Sequence, residues 1–106
     1  MNDVKEVDLE EAKKMIEGSG KKFVWIGGPT RVAIPEILDV SDTQVLAIEG
    51  AEIRMFSDDK LKVLKDCIIV CPHGRSSLVI AKFLKAKNIE AYSLKGGVAA
   101  IIGENY

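Results

Sequence analysis

One histidine, two cysteines and three prolines in 106 residues leave little of the chemistry that reinforces small secreted or metal-bound folds. Two cysteines are too few for a disulfide framework. Cys67 and Cys71 lie four apart in an extended-looking segment, which separates them by roughly 13 Å at ~3.3 Å per residue. A disulfide does not span that distance. With His73 they give three ligands, one short of a structural zinc site unless a carboxylate or a second chain contributes. No metal and no cofactor is therefore expected. No apolar run approaches the ~20 residues that cross a bilayer. Acidic and basic residues nearly cancel, at a net charge of −1, so no global field draws the chain to nucleic acid or a membrane. The opening stretch, MNDVKEVDLEEAKK, is acidic and helix-like, without an apolar signal region, and the default expectation is a cytoplasmic protein.

What is present suits an ordinary globular chain. Hydrophobic residues make up 47% and charged residues 29%, enough for one core and a solvated surface. The length fits a single domain over residues 1–106. There is no repeat, low-complexity tract or linker.

Helical and extended patterns alternate. Asp8 and Glu11 form a candidate capping box ahead of a stripe of Leu9, Ala12, Met15 and Ile16. Gly18 and Gly20 end that helix. Phe23 to Ile26 reads as a strand, Pro35 as the opening of a short helix through Leu38, and Val45 to Ile48 as a second strand. Gly50 is expected to turn the chain and Ile53 to Phe56 to form a short strand. Ser57 is a candidate N-cap for a helix carrying Leu61, Val63 and Leu64. Cys67 to Val70 is apolar on both faces, which predicts a central strand of a covered parallel sheet. A helix from about Ser76 to Lys87 places Val79, Ile80, Phe83 and Leu84 inward, with Asn88 as a left-handed cap. Glu90 to Leu94 is the last expected strand, and Val98 to Ile102 a closing helical turn. The alternation implies an α/β fold with a parallel sheet.

One segment carries chemistry: IIVCPHGRSSLVIAKFL. A buried strand runs into Cys71, a short polar loop contains Gly74, and a helix follows. Ligands of open α/β sheets bind beyond the carboxyl ends of the strands. Loop amides and the helix N-terminus there form a concave anion site, which stabilises a cysteine as its thiolate. His73 and Arg75 add hydrogen-bonding or positive groups, while Ser76 and Ser77 read as N-caps. No Asp or Glu occurs from Cys71 through Ile89. Lys82, Lys85 and Lys87 lie toward the far end of the helix, where they offset its dipole and read as a solvated face. Cys67, at the start of the core strand, reads as an inert buried thiol. Trp25 reads as core. Gly96-Gly97 reads as a turn with a tight backbone approach.

The run CPHGRSSLVIA resembles the active loop of single-domain rhodaneses, Cys-x-x-Gly-x-Ser/Thr followed by a helix. YSLKGGVAAI resembles that family's closing Leu-x-Gly-Gly segment, with Ile101 where Trp is usual. VDLEEAKKMIEGSGKKFVWI resembles its opening helix and strand, and IEGAEI a degenerate Ile-Pro-Gly-Ala stretch. Ile26-Gly27-Gly28 stands where the family carries Asp-Val-Arg, and Asp39-Val40-Ser41 echoes that triplet at another position. The resemblance implies an open parallel sheet of about five strands with helices on both faces. It also implies a sulfurtransferase in which Cys71 takes a sulfur from thiosulfate or a persulfide donor. Pro72, His73, Gly74, Arg75, Ser76 and Ser77 would form the substrate-binding loop. A thiol, or a sulfur-carrier protein, would then accept the sulfur.

Three other readings stay open. A catalytically weak module of the same fold would bind a partner or sense redox state, and a persulfide carrier would accept sulfur from a cysteine desulfurase and pass it on. A cysteine phosphatase or arsenate reductase would need Cys-x5-Arg, whose last arginine clamps the oxyanion. Here Ser77 holds that place, and the loop's arginine, Arg75, comes four after Cys71.

Overall fold

The computed structural model describes residues 4–30 and 33–103. The first three residues of the acidic N-terminal stretch and the last three of the chain lie outside the described residues. Five strands form one sheet: β1 (Glu6–Val7), β2 (Phe23–Trp25), β3 (Val45–Ala47), β4 (Cys67–Val70) and β5 (Ala91–Leu94). Their order is β1-β5-β4-β2-β3, and every pairing is parallel. The described residues also form six α-helices: α1 (Leu9–Ile16), α2 (Ile34–Leu38), α3 (Gly50–Arg54), α4 (Asp58–Leu61), α5 (Arg75–Ala86) and, after the last strand, α6 (Gly97–Ile102).

Strand periodicity sorts the core into two layers. Along β4 and just past it, Cys67, Ile69 and Cys71 face one cluster, with Val24, Ile53, Leu61, Leu64, Ile80 and Leu84. Ile68 and Val70 face the other, with Phe23, Trp25, Ala12, Ile16, Leu38 and Val98. Helices α3 to α5 thus cover one face, and α1, α2 and α6 the other. This is why β4 is apolar at every position, all four of its residues being buried. It is an α/β fold with an all-parallel sheet, as the β-α alternation implies.

Several local expectations hold for stated reasons. Asp8 caps α1 by accepting the Glu11 N–H at 2.8 Å, and Ser57 caps α4 by accepting that of Lys60 at 3.2 Å. Asn88 has φ 64°, the left-handed geometry that ends α5. Trp25 is buried, its indole N–H donating to the Gly28 carbonyl at 2.6 Å.

Four readings are corrected. Gly50 to Arg54 is helix α3, not a turn leading into a strand. Ile53 is fully buried while Met55 is 86% exposed, and one inward residue per turn satisfies a short helix as well as a strand. Val63 is 71% exposed, because α4 tightens into a 3-10 turn at Lys62–Leu64 that leaves only Leu61 and Leu64 inward. Val79 is 51% exposed on α5, with Ile80, Ala81 and Leu84 taking the buried stripe and Phe83 half-buried. Strand β1, two residues long, pairs with β5 at the sheet edge where a helical N-terminus was expected.

Candidate functional site

Cys71 immediately follows β4, the middle strand of the sheet, and is 1% exposed. The chain then turns through Pro72, His73 and Gly74 into α5. Gly74, not a serine, is the N-cap of α5, with φ 84° and no side-chain capping bond. Ser76 and Ser77 therefore lie inside the first turn, which corrects their reading as N-caps. Gly74 needs its lack of a Cβ twice over. Its φ is left-handed, and a Cβ there would sit 2.8 Å from the Gly96 amide nitrogen.

The turn brings two amides onto the sulfur. The N–H of Gly74 donates to Cys71 Sγ at 3.1 Å and that of Ser77 at 3.2 Å. As the thiol, Cys71 donates to the Ser77 hydroxyl oxygen at 3.3 Å. Ser77 Oγ in turn shares a hydrogen bond of 2.7 Å with Ser93 Oγ on β5. Ser77 and Ser93 are the polar side chains of the described core, both 0% exposed.

A second element fixes the loop from behind. The N–H of Val98 donates to the Cys71 carbonyl at 3.1 Å, and that of Ala99 to the Pro72 carbonyl at 2.9 Å. Gly97 makes this approach feasible, since a Cβ there would fall 2.2 Å from the Cys71 oxygen. The Gly96-Gly97 pair is thus a tight backbone approach, and the loop is clamped between α6 and β5.

Of the sequence-derived candidates, Cys71, Gly74 and Ser77 converge at one point. Pro72, His73, Arg75 and Ser76 are exposed on the rim. Arg75 and Ser76 line a cleft of about 430 Å³ with Ile26, Gly50, Arg54 and Val79. Arg75 forms no ion pair among the described residues. Arg54 stacks over Phe83 at 5.7 Å and has no carboxylate partner among them either. At the far end of α5, Lys85 pairs with Glu90, and Lys87, just past the helix, with Asp58. No cluster of three or more metal-ligating side chains occurs among the described residues.

Ser93 is the site residue that the sequence reading passed over. Its signal was a small hydroxyl side chain in the strand AYSL, on the same alternation as the buried Ala91, which faces the Cys71 side of the sheet. Cys67 is a free thiol like Cys71 but differs in setting. Burial pushes its pKa up, and the Lys22 backbone and the Lys21 and Lys22 charges offset only part of that. Its sulfur approaches the Val63 carbonyl at 4.0 Å.

No family model matches this sequence, and no curated protein does. Solved structures do. A rhodanese-related protein from Thermoplasma volcanium aligns with a TM-score of 0.64 at 19% identity, covering 96% of this chain and 94% of that one. SSP1007 from Staphylococcus saprophyticus aligns at 0.62 and 16% identity, covering 92% and 93%. Reduced CoADR-RHD from Bacillus anthracis aligns at 0.63 and 24% identity over 89% of this chain, which spans 16% of that longer protein. Sheet order, the two helical layers and these alignments agree that this chain has a rhodanese-like fold.

Proposed function

We propose that the protein is a sulfurtransferase whose Cys71 carries the sulfur as a persulfide. The observation that carries this reading is the convergence of the Gly74 and Ser77 amides on Cys71 Sγ at 3.1 and 3.2 Å. Amides aimed at one atom, at the N-terminus of a twelve-residue helix, stabilise negative charge there. The thiolate is the nucleophilic form of cysteine.

The chemistry follows as two displacements. Cys71 thiolate attacks the outer sulfur of thiosulfate. A new S–S bond forms, the old one breaks, and its electron pair leaves with sulfite. The terminal sulfur of the persulfide is now the anion. The N–H groups of Arg75 and Ser76, first-turn donors without intrahelical acceptors, serve it. A thiolate acceptor, or cyanide in an assay, then takes the terminal sulfur and returns the Cys71 thiolate. Neither displacement calls for a metal or a cofactor. Arg75 and Arg54, on the wall of the adjoining cleft, hold the charge of an anionic donor. The acceptor is a cellular thiol or a sulfur-carrier protein. Two free cysteines and no helix long or apolar enough to cross a membrane among the described residues suit work in the reducing cytoplasm.

Intact-mass spectrometry after incubation with thiosulfate, and separately with a low-molecular-weight persulfide, tests the proposal. Wild type is expected to gain one sulfur atom and Cys71→Ala none. Loading from the persulfide but not from thiosulfate identifies a carrier rather than a thiosulfate enzyme. No gain from either donor overturns the reading. Hydrolysis of a phosphoester that is lost in Cys71→Ser would favour the phosphatase alternative. The loop argues against that one, since the place of the clamping arginine belongs to the buried Ser77.

A further inference from the structure

We infer that Ser93 is a positioning residue for Cys71, acting through Ser77. Three side chains form a buried row from β5 to the loop: Ser93 Oγ, Ser77 Oγ at 2.7 Å from it, and Cys71 Sγ at 3.3 Å from Ser77 Oγ. All three are at most 1% exposed, so their hydrogen bonds are made mainly with one another and with the protein. The row therefore has to be satisfied from within.

Proton counting gives it a direction. Each hydroxyl donates one hydrogen and accepts others, while a thiolate only accepts. When Cys71 is the thiolate, Ser77 donates to the sulfur and Ser93 donates to Ser77. Every hydrogen then has an acceptor. In the reverse order Cys71 S–H donates to Ser77 and Ser77 to Ser93. The Ser93 hydrogen is then left without an acceptor among the described residues, inside a core where an unsatisfied donor is costly. The row is satisfied in the order that points a hydrogen bond at the reacting sulfur. Ser93 holds the Ser77 hydroxyl in that order without touching the sulfur.

The backbone keeps Ser93 in place. Ser93 is paired with Glu6 in the β1–β5 register, and its N–H donates to the Lys5 carbonyl at 3.2 Å. On the other side β5 pairs with β4, the strand that leads into Cys71. The hydroxyl is thus fixed by the sheet rather than by a mobile loop.

This inference deepens the sulfur-transfer reading but is tested apart from it. The readout is the rate at which iodoacetamide alkylates Cys71 at pH 7, followed by peptide-resolved mass spectrometry so that Cys67 is scored separately. Ser93→Thr and Ser93→Val are compared, because the two side chains have the same shape and differ in one hydroxyl; both suit a strand. The Val variant is expected to alkylate about tenfold more slowly than the Thr variant, the factor carried by one buried hydrogen bond. Ser93→Val in a Ser77→Ala background is expected to add no further loss, since Ser93 acts only through Ser77. With thiosulfate as donor, kcat is expected to fall while KM stays unchanged. Equal alkylation rates for the Thr and Val variants, or the same loss in the Ser77→Ala background, would overturn the assignment. Absence of sulfur loading in wild type, with the Thr–Val difference intact, would instead count against the sulfur-transfer reading alone.

Discussion

The backbone N–H of Val98 donates to the carbonyl oxygen of Cys71 at 3.1 Å, across a gap that exists because Gly97 has no side chain. The peptide group of Cys71 is thereby held by the helix that follows the last strand. Loop and closing segment, 26 positions apart in the chain (97 − 71), behave as one part.

Gly97→Ala is therefore expected to damage both stability and chemistry. Gly97 has φ 62°, which costs a non-glycine residue about 1–2 kcal/mol. The Cβ would also push on the Cys71 oxygen at 2.2 Å and disrupt two amide–carbonyl bonds. A total loss of about 2–4 kcal/mol follows. Gly18→Ala is the control. Gly18 has a similar φ of 68° with nothing within 4 Å of its built Cβ, so only the conformational cost applies. Urea unfolding of the two variants separates clash from strain, and sulfur loading is expected to fail in Gly97→Ala alone.

The sequence made some of this legible and hid the rest for physical reasons. Long apolar runs at Phe23 and Cys67 announced buried parallel strands, since nothing else in a chain this short buries four consecutive side chains. The loop was legible because Cys, Gly and Ser at that spacing let the Gly74 and Ser77 amides turn onto the Cys71 sulfur. Ile53 misled because a five-residue helix turns inward once, a pattern that periodicity does not separate from a strand. Val79 misled because an apolar residue on a helix signals the core only on average, and here it lines an open cleft. Ser93 was hidden because its partner, Ser77, lies 16 residues away and meets it only once β5 is laid beside β4.

Cys67 gives the protein an alkaline weakness. Its thiol titrates above the ordinary value in the folded state, chiefly because burial disfavours the thiolate. Between the unfolded and folded pKa values the native state holds a proton that the unfolded chain releases, so stability falls as pH rises. The contribution is intact below the ordinary thiol range, near 8.5, and is lost as pH climbs through the folded value. One such proton gives a slope of at most about 1.4 kcal/mol per pH unit. Urea midpoints measured with reductant from pH 7 to 10 are expected to drop less steeply in Cys67→Ala than in wild type. Parallel slopes would show that Cys67 is not the group responsible.

Arg75 is expected to act on donor binding rather than on the reactivity of Cys71. It is exposed at the N-terminus of α5, on the wall of the cleft it shares with Arg54, and no carboxylate among the described residues neutralises it. A dianionic donor gains a charge-assisted contact there, weakened by its exposure to solvent. Arg75→Ala should raise the KM for thiosulfate about 3–10-fold, with kcat little changed, corresponding to roughly 0.7–1.4 kcal/mol of uniform binding. The difference from wild type should shrink in 0.5 M salt, where screening acts over a few ångströms. Alkylation by neutral iodoacetamide should proceed at nearly the wild-type rate, because the Gly74 and Ser77 amides that face the sulfur are untouched. A loss of alkylation equal to the loss in kcat/KM would instead place Arg75 in the support of the sulfur itself.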